Sequence, residues 1–151
     1  RLRELPDEWP IVVHPDVISD SRPWRKLGSR ICIENMDLRK KVGQRAEDLE
    51  PFMEELPEAG FCLDLAHAGQ VDPSMEEARR FLDRFGPRLM QVHISRLGNV
   101  SQHLHLDPHS AENYREIGRS IPEDVPVIIE SVVAEEEIEQ EIARVKEVFE
   151  R

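Results

Sequence analysis

The sequence predicts an α/β fold of about five parallel strands with flanking helices, and two observations carry that expectation. Five short apolar runs recur along the chain: Ile11 to Val13, Ile31 to Ile33, Phe61 to Leu63, Leu89 to Val92 and Val127 to Ile129. Near-continuous apolar runs of this length are the pattern of strands buried on both faces. Stretches with helical spacing separate most of them, and strands alternating with helices build βαβ units and a parallel sheet.

The first run, Ile11-Val12-Val13, leads into His14-Pro15. From Ser19 to Arg30 the chain is a poor helix, interrupted by Pro23 and Gly28, and reads as a loop with at most one turn. After Ile31-Cys32-Ile33-Glu34, a helix is predicted from Gly43 to Leu56, with Ala46, Leu49, Phe52, Met53 and Leu56 apolar at helical spacing and Pro57 beyond its end. After Phe61-Cys62-Leu63-Asp64, Asp72-Pro73 reads as the N-cap and first-turn proline of another helix. Its stripe is Met75, Ala78, Phe81, Leu82 and Phe85, up to Gly86-Pro87.

Leu89 to His93 is the fourth strand. A long loop from Gly98 to His109 follows, then a weaker helix capped by Ser110, carrying Tyr114 and Ile117 and ending near Gly118. The fifth strand, Val127 to Glu130, precedes a helix from Glu135 to Phe149. That helix has Ile138, Ile142, Val145, Val148 and Phe149 as apolar positions and acids at its start to suit the helix dipole.

The 151 residues suffice for one domain, taken here as 1–151. With 39% hydrophobic and 34% charged residues the composition is that of a globular chain, and no apolar run reaches the ~18–20 residues needed to cross a bilayer, so no membrane association is expected. Lys and Arg total 20 against 31 Asp and Glu, a formal charge of −11 that argues against nucleic acid as partner. Two cysteines in strand-like runs, Cys32 and Cys62, are not a disulfide framework, and a reducing cytoplasm is expected.

Each apolar run ends in a residue able to bind a metal or carry a proton: His14, Glu34, Asp64, His93 and Glu130, with His67 three residues beyond Asp64. Strand parity puts Val12, Cys32, Cys62, Gln91 and Ile128 on the same face as these residues, and aliphatic Val13, Ile33, Leu63, Val92 and Ile129 on the other. The polar residues therefore converge at the carboxyl edge of the sheet, where parallel α/β folds and barrels build their sites. One such residue alone is more often a cap or a satisfied core group; five at matching positions point to a shared site. Three carboxylates brought together repel unless a cation neutralises them, and two imidazoles in the same ring make a divalent metal the simplest neutraliser. Oxygen and nitrogen ligands suit Mn, Co, Mg, Fe or Zn without choosing among them.

From about Ile11 to its end the chain resembles the C-terminal portion of the xylose isomerase-like TIM barrels, the superfamily of sugar phosphate isomerases and epimerases and of the apurinic endonucleases. The residues that carry the resemblance are Val12-Val13-His14-Pro15, Ile33-Glu34-Asn35-Met36, Cys62-Leu63-Asp64-Leu65-Ala66-His67-Ala68, Gln91-Val92-His93-Ile94-Ser95 and Pro126-Val127-Ile128-Ile129-Glu130-Ser131. The resemblance implies a partial (β/α) TIM-type barrel in which Glu34, Asp64, His93 and Glu130 hold one divalent ion, drawn from Mn, Co, Mg or Zn. In the isomerase branch the two glutamates also serve as acid and base on a hydroxy-ketone, through a metal-stabilised enediolate, with His67 beside the substrate oxygens.

The endonuclease branch uses three zinc ions and an Asp-x-His element, where this chain reads Ser101-Gln102-His103. That departure and the acidic charge favour a sugar or polyol substrate over abasic DNA. His14, His67, Arg96 and His103 are the candidate substrate-binding residues. Among the loop residues His103, His105 and His109, the first is the candidate to reach over the site. Arg39-Lys40-Lys41 reads as a solvated charge run, and Trp24 as a loop residue that either walls the pocket or packs beneath it.

A closed barrel of this kind needs eight strands and typically ~250 residues. With five strands, the chain is expected to lack its N-terminal barrel half or to be completed as a homo-oligomer. The expected activity is isomerisation or epimerisation of a sugar or related polyhydroxy carbonyl compound. The alternatives are a phosphodiesterase of the apurinic-endonuclease type and a non-catalytic fragment that binds metal or a partner chain.

Overall fold

A computed structural model describes residues 6, 9–98 and 102–150 of the chain. Its strands are β1 (Ile11–Val13), β2 (Ile31–Glu34), β3 (Gly60–Asp64), β4 (Leu89–Ile94), β5 (Arg96–Leu97), β6 (His103–Leu104) and β7 (Val127–Ile129). The helices are α1 (Ala46–Glu55), α2 (Leu65–Val71), α3 (Glu76–Phe85), α4 (Pro108–Gly118) and α5 (Ile138–Phe149). The five predicted strands form one parallel sheet in the order β1-β2-β3-β4-β7, curled into a half-barrel with helices outside it. This is the partial TIM-type α/β fold expected from the sequence.

Strand parity holds across the sheet. The outward residues Val13, Ile31, Ile33, Phe61, Leu63, Val92 and Ile94 form the core with the helices, and Phe61 lies 5.5 Å, centroid to centroid, from both Phe81 and Phe85 of α3. On the inner face Cys32, Cys62 and Gln91 are buried, whereas Ile128 on the edge strand β7 is 43% exposed. The β3–β4 register slips by one residue at Phe61/Cys62, so that Cys62 pairs with Gln91 and Asp64 with His93. Met90 fills the space over Gly60, so any larger residue at position 60 would require the Met90 side chain to move.

Several local expectations are corrected. Helix α2 begins directly at the end of β3, with Asp64 as its cap; the apolar run and the helix are contiguous, and no turn residue marks the join. Helix α3 starts at Glu76, after Met75 in the left-handed region (φ 61°), later than Asp72-Pro73 predicts. Asp72 still caps, because its carboxylate accepts from Ser74 N (3.0 Å) and from Glu77 N (3.0 Å) within the helix. Asp107, with Pro108 at the first helical position, caps α4 by accepting from Ser110 N at 2.8 Å, so Ser110 lies inside the helix. Within the predicted loop 98–109, β5 and β6 pair as a short antiparallel hairpin. The stretch before β2 is a 3-10 segment, Trp24–Arg30, broken at Gly28 (φ 56°).

Helix α5 turns a different face inward than its aliphatic residues predict. Val145 and Val148 are buried with Glu141, while Ile138 (45%) and Ile142 (38%) stay exposed. Among the described residues no helix is long and apolar enough to cross a membrane.

Candidate metal centre

The carboxyl ends of β2, β3, β4 and β7 bring Glu34, Asp64, His93 and Glu130 together, and one donor atom from each lies within 4.8 Å of the others. His93 Nδ1 stands 3.0 Å from Glu34 Oε1 and 3.2 Å from Glu130 Oε1. Each glutamate turns its second oxygen to an outer histidine: His14 Nε2 is 3.1 Å from Glu34 Oε2, and His103 Nδ1 is 3.4 Å from Glu130 Oε2. His67 Nδ1 lies 3.5 Å from Asp64 Oδ2 and 4.0 Å from Glu34 Oε1, with its ring edge-on to His103 at 5.9 Å.

The supporting contacts explain how short motifs aim these groups. The Asn35 side chain bonds both backbone groups of Asp64, donating to its carbonyl (2.9 Å) and accepting from its amide (2.7 Å), which locks the end of β3 to that of β2. Asp64 Oδ1 accepts from His67 N at 2.8 Å, and His67 Nδ1 donates to the Asn35 carbonyl at 2.9 Å, so α2 starts on the site and holds the imidazole there. The Gln91 amide lies 2.5 Å from His93 Nε2. Its Nε2 is the atom that faces the ring; with the amide rotated so that Oε1 takes that place, it would accept the Nε2–H, the second contact that orients a histidine ligating through Nδ1.

The electrostatics are those of an anionic cluster braced by hydrogen bonds to His93 and His14. Burial pushes Glu34 up, but hydrogen bonds from His14 and His93 outweigh it and hold the carboxyl at about 2. Burial pulls His93 down, yet Glu130 and Glu34 raise it to about 10. Glu130 is likewise lowered, its burial overcome by His93, and His14 is raised by its hydrogen bond to Glu34. Asp64 behaves oppositely: complete burial and the nearby Glu34 charge drive it well above the ordinary carboxylate range. Its Oδ2 is a buried polar atom with no hydrogen-bond partner among the described residues.

A buried carboxylate oxygen without a hydrogen bond, 3.5 Å from His67 Nδ1 and on a side chain grouped with two further carboxylates and His93, is what a divalent cation would satisfy, and the donor set of three carboxylates and one imidazole fits one. Glu34, Cys62 and His93 form a second, overlapping donor group deeper in the half-barrel; the Cys62 thiol, like Cys32, is free and buried.

Seven of the predicted residues are therefore neighbours: His14, Glu34, Asp64, His67, His93, His103 and Glu130. Arg96 is engaged elsewhere. Its Nε lies 3.3 Å from both Asp107 Oδ2 and the His105 carbonyl, and it lines a cavity of about 220 Å³ with Gln70 and Tyr114, whose lining includes none of the cluster residues. His105 and His109 are exposed, and His109 faces Asn113 at 3.4 Å. Arg39 is exposed but pairs with the fully buried Asp37 (2.7 Å), and Lys40 pairs with Asp16 (2.5 Å). Trp24 lines a cavity with Leu56 and Pro57 at the opposite edge of the sheet, so it does not wall the site. Ser101, which stands where the endonuclease pattern has aspartate, lies outside the described residues. Reasoning from the sequence did not single out Asn35 or Gln91 for a role. The signal for Gln91 was present in its polar side chain on the inward face of an otherwise aliphatic strand.

Fold and site together define a half-barrel with a carboxylate–imidazole cluster at the carboxyl edge of its sheet. Endonuclease IV from Thermus thermophilus is similar over 90% of this chain and 61% of its own, with a TM-score of 0.65 and 23% identity. The apo form of the 3-keto-D-glucoside 4-epimerase from E. coli is similar over 84% of this chain and 49% of its own, with a TM-score of 0.54 and 16% identity. Both likenesses concern the fold, and the partial TIM-type α/β architecture expected from the sequence is the one observed. The chain spans 61% of the first structure and about half of the second. No family model matches the sequence, and no curated protein matches it.

Proposed function

We propose that the chain is the C-terminal part of a metal-dependent isomerase or epimerase acting on a sugar or related polyhydroxy carbonyl compound. The observation that carries this reading is the fully buried Asp64 Oδ2, without a hydrogen-bond partner among the described residues, on a side chain with a donor atom within 4.8 Å of those of Glu34, His93 and Glu130. Glu34, Asp64, His93 and Glu130 would hold the ion, which when bound polarises a carbonyl and lowers the cost of an enediolate.

The protein's own groups are arranged for proton transfer from two sides. Glu34 and Glu130 sit at opposite ends of the cluster, each with Oε1 toward its centre and Oε2 toward a histidine. Oε2 of each glutamate has an imidazole within 3.1–3.4 Å, so each carboxylate has a group beside it with which to exchange a proton, in keeping with one acid and one base on opposite faces of a substrate. His14, His67 and His103, beside the cluster, would contact substrate oxygens; Arg96 pairs with Asp107. The buried free thiols of Cys32 and Cys62 support a reducing, cytoplasmic setting.

A second reading, a phosphodiesterase of the endonuclease type, is favoured by the likeness to endonuclease IV and by the extra histidines at both ends of the cluster. The net charge of −11 weighs against a nucleic-acid substrate. The deciding experiment incubates metal-loaded protein in deuterated water with a panel of keto- and aldo-sugars and follows C–H exchange by NMR, alongside zinc analysis. Exchange supports the isomerase reading; three zinc ions per chain with cleavage of abasic duplex would replace it.

A further inference from the structure

We infer that Glu141, on the outer helix α5, is a positioning residue that fixes Glu130 and the His103 hairpin at one end of the cluster; this rests on the metal-centre reading above. A carboxylate on the buried stripe of a helix is costly unless it is fully partnered. Glu141 is 1% exposed and sits in line with Val145 and Val148. Its Oε1 accepts from Leu106 N at 2.9 Å and from the Ser131 hydroxyl at 2.5 Å, and its Oε2 is 3.3 Å from Arg144 Nη1.

Those two donors flank the site. Leu106 leads out of the β5–β6 hairpin that carries His103, and Ser131 adjoins Glu130 in the chain. The same two segments are laced by Val132 N donating to the His103 carbonyl (3.0 Å), and Glu130 N donates to the Ile94 carbonyl at the end of β4 (3.0 Å). His103 Nδ1 in turn meets Ser95 Oγ at 2.9 Å. One buried oxygen thus ties together the segments bearing both members of the Glu130–His103 pair. Glu77 supplies the contrast. It is as buried, on α3, and accepts from Ala46 N at 2.7 Å, but its contacts with Ala46, Arg45 and Arg80 hold the start of α1 rather than a neighbour of any cluster residue.

The test is Zn²⁺ affinity by competition with a chromophoric chelator, together with amide hydrogen exchange over residues 102–106, for the wild type, Glu141→Ala, Glu141→Gln, Ser131→Ala and Glu77→Ala. Glu141→Ala is expected to weaken Zn²⁺ binding about 10-fold, the low end of the range for losing a partner bonded to a ligand directly, since Glu141 acts through Ser131 and Leu106, and to speed exchange at 102–106 but not in β2–β4. Glu141→Gln, whose amide oxygen can accept both bonds, should restore most of the affinity. Glu77→Ala should lower stability without weakening binding. A folded Glu141→Ala protein with wild-type affinity, or an equal loss in Glu77→Ala, overturns the inference. If Glu141→Ala does not fold, Ser131→Ala decides, since wild-type affinity there overturns it equally. A wild-type protein that binds no Zn²⁺ overturns the metal centre itself and this inference with it.

Discussion

Replacing Asp64 by Asn separates the cost of the metal-free cluster from its use. The folded state raises the Asp64 pKa well above its ordinary 3.8, because the carboxyl is fully buried beside Glu34. A group raised in this way contributes stability below its unfolded pKa and loses it as the pH rises through the folded value, so at pH 8 the metal-free protein carries a penalty at this position. Asparagine keeps the Oδ1 acceptor for His67 N and removes the titration, so the metal-free variant should be at least as stable as the wild type at pH 8.

Metal reverses the order. At a free ion concentration of 100 times Kd the wild type gains about 2.7 kcal/mol, which for a domain of this size is about 5–11 °C in Tm. A variant whose Kd is about 100-fold weaker gains on the order of 0.4 kcal/mol, about 1–2 °C, at the same concentration. Scanning calorimetry of both proteins with and without Zn²⁺ reads all four values. An equal metal-induced shift in the two proteins would refute a ligand role for Asp64, and a strongly destabilised metal-free variant would refute the penalty.

Two further outcomes follow from the same geometry. His93, held near 10, and Asp64, held high, must both lose protons when they ligate, so apparent metal affinity should rise between pH 6 and 9 with net proton release. Calorimetry in buffers of different ionisation enthalpy measures this release, and a pH-independent affinity would contradict it. Arg88 donates to the Met53, Leu56 and Ala59 carbonyls at 3.1, 2.7 and 2.7 Å and so closes the end of α1. Arg88→Ala should cost about 2–4 kcal/mol in denaturant unfolding while leaving metal affinity unchanged, and loss of metal affinity in a folded variant would be inconsistent with its remote placement.

The strands were legible because buried parallel strands carry dense apolar runs, and the inward set from Glu34 to Glu130 followed from parity alone. Helix α2 was not legible: Leu65 to Val71 abuts β3 without a turn residue, and its cap, Asp64, was already read as a strand end. The β5–β6 hairpin was missed because two-residue strands leave no periodic signal. Glu141 escaped for a related reason: an acid near a helix start reads as dipole compensation, and only tertiary contacts show that it points inward while Ile138 and Ile142 face out. The placement of Arg96 depended on its pairing with Asp107, a contact between a strand and a helix cap that spacing does not encode.

The most direct measurement is a crystal structure of the protein grown with Zn²⁺ or Mn²⁺ and phased to locate the ion by anomalous scattering. A single peak within coordination distance of Glu34, Asp64, His93 and Glu130, with Asp64 Oδ2 among its ligands, is the predicted result. An ion bound elsewhere while these four side chains keep only one another as partners would contradict it.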